Sequence, residues 1–264
     1  MYQAYYHLSQ RIHRKDRSGA ELFISPSFSE AISRLEFIKD KGGIVVFTGP
    51  AGAGKSTVLR YFVEKLNQKF YKVAYAPLST VSVIEFYRQI AYLLHGDIPF
   101  RKDQLFYSIQ KTIIELATNQ NTIPIVIFDD AQFMKNENFR ELQLLTNFNF
   151  DSTDPVLFVL AAQPHLIDRL KRPAFESFYQ RIKIKISLYP LTLKETESFI
   201  SHVLKTASAS ETLFNNNAIQ LIHSLTSGLP RKITQLMEQA LIYGTAHQMN
   251  TIDENIILKI AKEI

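Results

Sequence analysis

Short apolar runs alternate with longer amphipathic segments through the first two thirds of the chain. The runs are nearly continuous in apolar residues, which is typical of strands that are buried on both faces. Five strands are predicted, at residues 44–47, 72–76, 124–128, 156–160 and 181–188. Because helical segments separate them, the pattern predicts an α/β fold with a parallel sheet covered by helices on both sides.

Apolar residues at helical spacing predict the segments that connect these strands. The predicted helices of the first part are residues 29–39, 55–69, 82–94, 102–118 and 136–148. After Pro190 no strand-like run follows, and helices are predicted at 191–206, 215–226, 230–246 and 252–264. We therefore predict three parts: an N-terminal linker and helix at 1–43, an α/β core at 44–188 and an all-helical subdomain at 189–264.

Composition narrows the class of protein. The 264 residues include no cysteine, which excludes disulfides, thiolate zinc sites, iron–sulfur clusters and a cysteine nucleophile. No apolar run is long enough to cross a bilayer and no signal peptide is visible, so we expect a cytoplasmic protein with no membrane partner. The net charge of +5 permits a nucleic-acid partner without requiring one.

A glycine-rich segment follows the first predicted strand and opens a predicted helix. It matches the pattern G-x-x-x-x-G-K-[ST], in which backbone N–H groups wrap a phosphate. We expect Lys55 to reach the β- and γ-phosphates of ATP and the Ser56 hydroxyl to ligate Mg²⁺. A chance glycine-rich turn is the alternative. The predicted ATP contacts are Gly49, Pro50, Ala51, Gly52, Ala53, Gly54, Lys55, Ser56 and Thr57.

Two carboxylates end the third predicted strand. Asp129 is predicted to hold Mg²⁺, and Asp130 stands where a carboxylate would activate the attacking water. The alternative is a pair of strand-end acids that has no ligand.

Further motifs carry a resemblance to a known family. The chain resembles AAA+ ATPases of the group that holds the ExeA/GspA secretion ATPases and the TnsC/TniB-type transposition ATPases. The motifs behind this resemblance are Asp129-Asp130-Ala131-Gln132, Ala162-Gln163-Pro164, Gln180-Arg181-Ile182, Leu188-Tyr189-Pro190-Leu191 and Gly228-Leu229-Pro230-Arg231. The resemblance implies a P-loop NTPase fold, in three layers around a five-stranded parallel sheet, with a C-terminal helical lid.

The resemblance also implies roles for polar residues outside the phosphate loop. Gln163 resembles a sensor-1 residue, Arg231 resembles sensor 2, and Arg181 resembles an arginine finger that acts in trans on a neighbour's γ-phosphate. An exposed strand-start arginine and a surface helix arginine are the alternatives for Arg181 and Arg231. A finger in trans implies a homo-oligomer, either a ring or a helical filament. Asp130 replaces the family's usual glutamate, so we expect slow hydrolysis.

Two branches of the family give different functions. The chain stops at Ile264, just after the predicted lid, which resembles a free-standing transposition ATPase. Such a protein would assemble on duplex DNA without sequence specificity and recruit a transposase or target selector. The runner-up is a secretion-complex assembly ATPase that lacks its membrane anchor, and a third possibility is a nucleotide-gated scaffold without hydrolysis.

Candidate DNA contacts flank the helix predicted at 82–94. Because helix-insert members of the family line a ring interior with this region, Ser79, Thr80, Arg101 and Lys102 are predicted to face DNA phosphates. Plain surface polarity is the alternative. Lys183 and Lys185 alternate with apolar residues in the fifth strand, a pattern that protects an edge strand from unwanted pairing.

Overall fold

The computed structural model describes residues 2–262. Within them, five strands form one parallel sheet in the order β2-β3-β4-β1-β5. The strands are β1 (Gly43–Thr48), β2 (Tyr71–Ala76), β3 (Ile123–Phe128), β4 (Leu157–Ala162) and β5 (Ile182–Ser187). The predicted fold class, a parallel five-stranded α/β sheet with helices, is confirmed.

Twelve α-helices occur in the described residues. They are α1 (Tyr2–Tyr5), α2 (Pro26–Ile38), α3 (Lys55–Lys65), α4 (Val83–Leu93), α5 (Lys102–Asn119), α6 (Asn136–Leu145), α7 (His165–Leu170), α8 (Glu176–Gln180), α9 (Leu193–Thr206), α10 (Asn216–Thr226), α11 (Pro230–Ala246) and α12 (Glu254–Ala261). The short helices α1, α7 and α8 were not predicted, because fewer than two turns give too little periodicity. None of the described helices has the length and apolarity of a membrane span.

Side-chain caps fix several helix starts. Ser82 accepts a hydrogen bond from Glu85 N, whose carboxylate in turn accepts from Ser82 N, and this capping box begins α4. Thr192 and Glu195 form the same arrangement at α9. These caps explain why the helix predicted from residue 191 begins two residues later.

The described chain divides into two compact units. The sheet unit comprises Ser27–Gly49 and Lys55–Leu188, and the helical unit comprises residues 2–26, 50–54 and 189–262. The predicted division at 1–43, 44–188 and 189–264 stays a prediction, and the last two residues of the helix predicted to reach 264 lie outside the described residues.

Each unit has an apolar core of its own. In the sheet unit β1 and β4 are buried at every position, and Phe47, Phe128 and Phe158 are fully enclosed. Burial of one such side chain contributes about 1.5–3 kcal/mol. In the helical unit the residues before α2 join the core of α9–α12, with Ile12 fully buried. The predicted linker is therefore partly a packed segment.

Candidate nucleotide site

The phosphate loop begins directly after β1. Lys55 is buried at the start of α3, and its Nζ donates to Gly49 O at 2.8 Å. Gly52 and Gly54 adopt φ values of +83° and +107°, which lie in the left-handed region that favours glycine. The loop therefore has the strand–loop–helix context of a phosphate-binding segment. Ser56 and Thr57 lie in the first turn of α3, exposed and half-buried respectively.

Part of the loop belongs to the helical unit, together with Arg231. The backbone N–H of Arg231, in the first turn of α11, donates to Gly52 O at 3.2 Å. A Cβ at position 52 would lie 3.0 Å from the Cβ of Arg231, so only glycine fits this approach without displacement. The residue predicted as sensor 2 thus contacts one residue of the predicted phosphate loop, Gly52.

Asp129 follows β3 and is 9% exposed. Its Oδ2 accepts hydrogen bonds from Ser56 Oγ at 3.2 Å and from the Tyr75 hydroxyl at 2.8 Å. Its Oδ1 accepts from Asp130 N at 2.9 Å. Burial, followed by the hydrogen bond and charge of Asp129, raises the pKa of Tyr75 to about 12. Tyr75 was not predicted, because its contact joins residues 54 positions apart.

The oxygen donors of Ser56 and Asp129 suit Mg²⁺, which takes hard oxygen ligands and keeps waters and substrate phosphates in its shell. No cluster of three or more His, Cys, Asp or Glu side chains that could hold a metal occurs in residues 2–262. The fit is therefore to a shared magnesium site, completed by a nucleotide, and not to a cage made by protein alone.

Asp130 is exposed and held by a second polar contact. Gln132 Nε2 donates to Asp130 Oδ1 at 2.9 Å, and Gln132 Oε1 accepts from the backbone N–H of Gln163 at 3.0 Å. Because a backbone N–H can only donate, the amide orientation of Gln132 is fixed. The structure thus joins the predicted water-activating residue to the end of β4 through a buried glutamine. Gln132 is the last residue of the motif Asp129-Asp130-Ala131-Gln132, but the sequence predicted no role for it.

Arg181 lies between α8 and β5. Its guanidinium makes two hydrogen bonds to the Asp151 carboxylate, at 2.6 and 3.0 Å, and one to Thr146 Oγ1 at 3.3 Å. Asp151 follows Asn149 and Phe150, and all three have left-handed φ values of +46° to +65°. For a residue other than glycine, backbone of this kind costs about 1–3 kcal/mol, so the surrounding structure has to hold it. Among the described residues, Arg181 makes no hydrogen bond to the phosphate loop or to Asp129.

The four candidate DNA contacts are placed differently from one another. Ser79 is buried and its hydroxyl donates to Asp129 O, so the prediction that it faces DNA is wrong in this structure. Thr80 is exposed. Arg101 bonds Asp103 at 2.8 Å and Lys102 bonds Glu141 at 2.6 Å, so both cations face acidic partners. These pairs reduce the positive potential that a phosphate would meet.

Comparison with known families agrees with this geometry. A family model described as an AAA domain matches residues 38–170, which is half of the chain. The chain belongs to the AAA domain family. Its AAA+ ATPase fold implies nucleotide binding, usually with Mg²⁺, and nucleotide hydrolysis as the general activity.

One curated relative of this AAA protein is General secretion pathway protein A of Aeromonas hydrophila. The two are 28% identical over 270 aligned positions, which include all of this chain and 48% of the relative. The chain thus spans about half the length of that relative. The match supports an AAA+ ATPase of the ExeA-like kind.

Solved structures share the fold of this AAA protein at low sequence identity. Aeropyrum pernix ORC2 superposes with a TM-score of 0.71 at 16% identity, covering 97% of this chain and 71% of that one. Drosophila ORC bound to DNA superposes with a TM-score of 0.71 at 15% sequence identity, covering 98% of this chain and 64% of that one. The Thermotoga maritima RuvB Holliday junction branch migration motor superposes with a TM-score of 0.60 at 19% sequence identity, covering 95% of this chain and 72% of that one. At these identities the likeness shows the fold alone.

Proposed function

We propose that this protein is a slow Mg²⁺-dependent ATP hydrolase whose nucleotide site is completed by a second copy, so that ATP controls its assembly. One observation carries the proposal: the Ser56 hydroxyl and the Asp129 carboxylate meet at 3.2 Å beside a lysine that opens α3. A hydroxyl and a carboxylate can hold the magnesium ion of a nucleoside triphosphate, and the ammonium can contact its phosphates.

Residue roles follow from the contacts. The loop from Gly49 to Thr57 would hold the phosphates, and Ser56 and Asp129 would hold Mg²⁺, which neutralises phosphate charge when bound. Asp130 would accept a proton from the attacking water. Its side chain is one methylene shorter than the glutamate usual in the family, and Gln132 holds it, so turnover is expected to be slow.

The role of Arg181 is the part of the proposal that needs another subunit. A cation near the transferred phosphate stabilises the charge that develops in the transition state. In one chain Arg181 is engaged by Asp151, so it has to leave this carboxylate to reach a neighbour's phosphate. Gln163 is proposed to sense the same phosphate from within the chain, and the sensor role of Arg231 stays a prediction.

Assembly of a secretion complex is the setting that we favour. It was the runner-up from sequence, but the relative that aligns along the whole chain carries the name of a secretion pathway protein. In addition, Ser79 is buried and two of the remaining candidate DNA contacts are engaged by acidic side chains. These observations count against the hypothesis of a transposition ATPase, which stays the second candidate.

DNA-bound assembly with a transposase or target selector is the second candidate. The net charge of +5 supports it, because repeated copies would multiply the phosphates that are neutralised. The discriminating experiment titrates duplex DNA into the chain at several salt concentrations, with ATP, with a non-hydrolysable analogue and without nucleotide. Salt-sensitive binding that requires nucleotide and weakens in the Arg101→Glu, Lys102→Glu double variant supports DNA. Binding that is absent at low salt favours the secretion setting.

Both candidate settings share ATP-controlled assembly, and this shared part is tested by measuring the oligomeric state with and without nucleotide. Sedimentation of the wild type should show oligomers with ATP or its analogue and monomers without nucleotide. A chain that stays monomeric in every nucleotide state contradicts the proposal.

A further inference from the structure

The two outer strands of the sheet are protected to different degrees. At the β5 edge Lys183 pairs with Asp154 at 2.7 Å, Lys185 lies over the Tyr179 ring at 3.7 Å, and Arg34 donates to Lys185 O at 3.0 Å. Charged side chains of this kind discourage pairing with another strand. The predicted protection of β5 by its lysines is therefore present in the structure.

The β2 edge lacks such protection. Phe70 O and Ala76 O accept hydrogen bonds from Ile123 N and Asp129 N, on the β3 side. Since peptide groups along a strand alternate between its two sides, the N–H and C=O groups of Val73 and Tyr75 face away from β3. No hydrogen bond to these outward groups is found within residues 2–262. The single lysine of β2, Lys72, turns its ammonium to Leu94 O.

Val73 and Tyr75 line a groove of about 540 Å³ at this edge. Tyr92, at the end of α4, and His95, Gly96 and Ile98, which follow it, also line the groove. Tyr75, Tyr92 and Ile98 are 48%, 70% and 46% exposed. Apolar side chains grouped at a concave surface mark a site of interaction.

We propose that the outer edge of β2 is a docking site for an extended segment of a partner protein. The segment would add as a further strand on the peptide groups of Val73 and Tyr75, and its alternate apolar side chains would enter the groove beside Tyr92 and Ile98. Strand addition takes its affinity from main-chain hydrogen bonds and its selectivity from the pockets alongside.

A second copy of this chain is a poorer occupant than a partner's segment. Two β2 edges would pair about a two-fold axis, which gives a closed isologous dimer. The proposed action of Arg181 in trans instead requires a head-to-tail arrangement, in which the donating and receiving surfaces differ. We therefore choose a segment of another protein as the occupant of the β2 edge.

Tyr75 connects this surface with the nucleotide site. Its outward peptide groups and half-exposed ring border the groove, while its hydroxyl donates to Asp129 Oδ2 at 2.8 Å. A strand that orders Tyr75 would change the position of the carboxylate that is proposed to hold Mg²⁺. The open edge and its groove do not depend on the proposed function, but the choice of a partner over a second copy and this effect on ATP turnover rest on it.

The test is selection of short random peptides displayed on phage against the full chain. Val73→Pro removes one outward N–H without losing a bond to β3, since proline is tolerated at an open edge. Lys185→Pro makes the matched change at the other edge. The enriched peptides should alternate apolar residues, lose roughly tenfold or more in affinity for Val73→Pro and Tyr92→Ser, and bind Lys185→Pro as they bind the wild type.

Amide hydrogen exchange adds a positional readout. A bound peptide should slow exchange at Val73 and Tyr75 and leave β5 unchanged. Peptides whose binding ignores Val73→Pro, or a selection that yields no binder dependent on it, would overturn the docking site. A dimer that Val73→Pro dissolves would replace the partner by a second copy and overturn our choice of occupant.

The coupling is measured separately, as ATP turnover with saturating selected peptide. Val73→Pro should keep the turnover of the wild type without peptide and lose any response to it. A peptide that binds at Val73 and leaves turnover unchanged overturns the coupling but not the docking site. Absence of ATP turnover in the wild type itself would instead reject the proposed function.

Discussion

Two regions of the sheet unit hold their charged groups in opposite ways. Around Asp129, the carboxylate accepts hydrogen bonds within one chain from the hydroxyls of Ser56 and Tyr75. Around Arg181, the guanidinium is neutralised within one chain by Asp151 and has no hydrogen bond to the phosphate loop among the described residues. Under the proposed function, one chain would carry the metal and phosphate half of the site and would hold the guanidinium of Arg181 away from it.

On the side that one chain completes, the expected effect is on ATP binding itself. Lys55→Ala removes the buried ammonium at the start of α3, and a charge-assisted contact to phosphate is lost. ATP affinity should fall by roughly 100-fold or more, measured by calorimetry. Lys65→Ala, at the other end of the same helix, is the control and should keep the affinity. Equal affinity of Lys55→Ala and the wild type would reject the phosphate loop.

Arg181→Ala tests the part of the site that is proposed to come from a neighbouring subunit. Turnover should fall by roughly 1,000-fold, the scale of arginine-finger loss, while the monomer keeps its ATP affinity. Steady-state turnover and nucleotide titration at low protein concentration separate the two quantities. Loss of ATP affinity in the monomer would place Arg181 in its own chain's site and remove the contrast.

Asp130→Asn should lower turnover by roughly 100-fold and leave ATP binding within about threefold of the wild type, because the amide cannot accept a proton. Asp130→Glu restores the longer side chain and should raise turnover if reach limits the rate. A slower Asp130→Glu variant would show that Gln132 and its neighbours are fitted to the shorter acid.

The pair between Arg181 and Asp151 should oppose assembly weakly. A partly exposed ion pair contributes up to about 1 kcal/mol, so Asp151→Ala should lower the ATP concentration for half-maximal assembly by up to about fivefold. Asp154→Ala breaks a different pair, with Lys183, and serves as the matched control. An unchanged midpoint for Asp151→Ala would show that the pair does not restrain Arg181.

The smallest effect concerns Tyr75 and pH. Its pKa is raised from 10.0 to about 12, so its contribution to stability is full below pH 10 and is lost as the pH rises through 12. Tyr75→Phe should therefore make stability less dependent on pH in that window, as measured by denaturant unfolding at pH 9 and above. An identical pH dependence in the variant would mean that folding does not raise the pKa of Tyr75.

Much of the site could be predicted because its residues are consecutive. The phosphate loop and the two carboxylates after β3 are local patterns that follow buried strands, and buried strands have a strong apolar signal. The sheet and most helices were predicted for the same reason. Only their ends moved by a few residues, where caps such as Ser82 decide the boundary.

The remaining contacts depend on chain positions that only the fold brings together. Tyr75 meets Asp129 across 54 residues, and Asp151 meets Arg181 across 30. Ser79 shows the converse error, since this polar residue at a turn was predicted to face DNA phosphates. It is buried, and its hydroxyl donates a hydrogen bond to the carbonyl of Asp129. The sequence therefore indicated candidate residues at strand ends, and the fold supplied the contacts that restrain them.

The most direct measurement mixes two inactive variants. Asp130→Asn subunits lack the water-activating acid and keep Arg181, whereas Arg181→Ala subunits lack the cation and keep Asp130. In randomly mixed assemblies of equal amounts, about a quarter of the junctions join an intact Arg181 to an intact Asp130, so about a quarter of the wild-type turnover should return. Turnover that stays at the sum of the two separate variants would contradict completion of the site by a second copy.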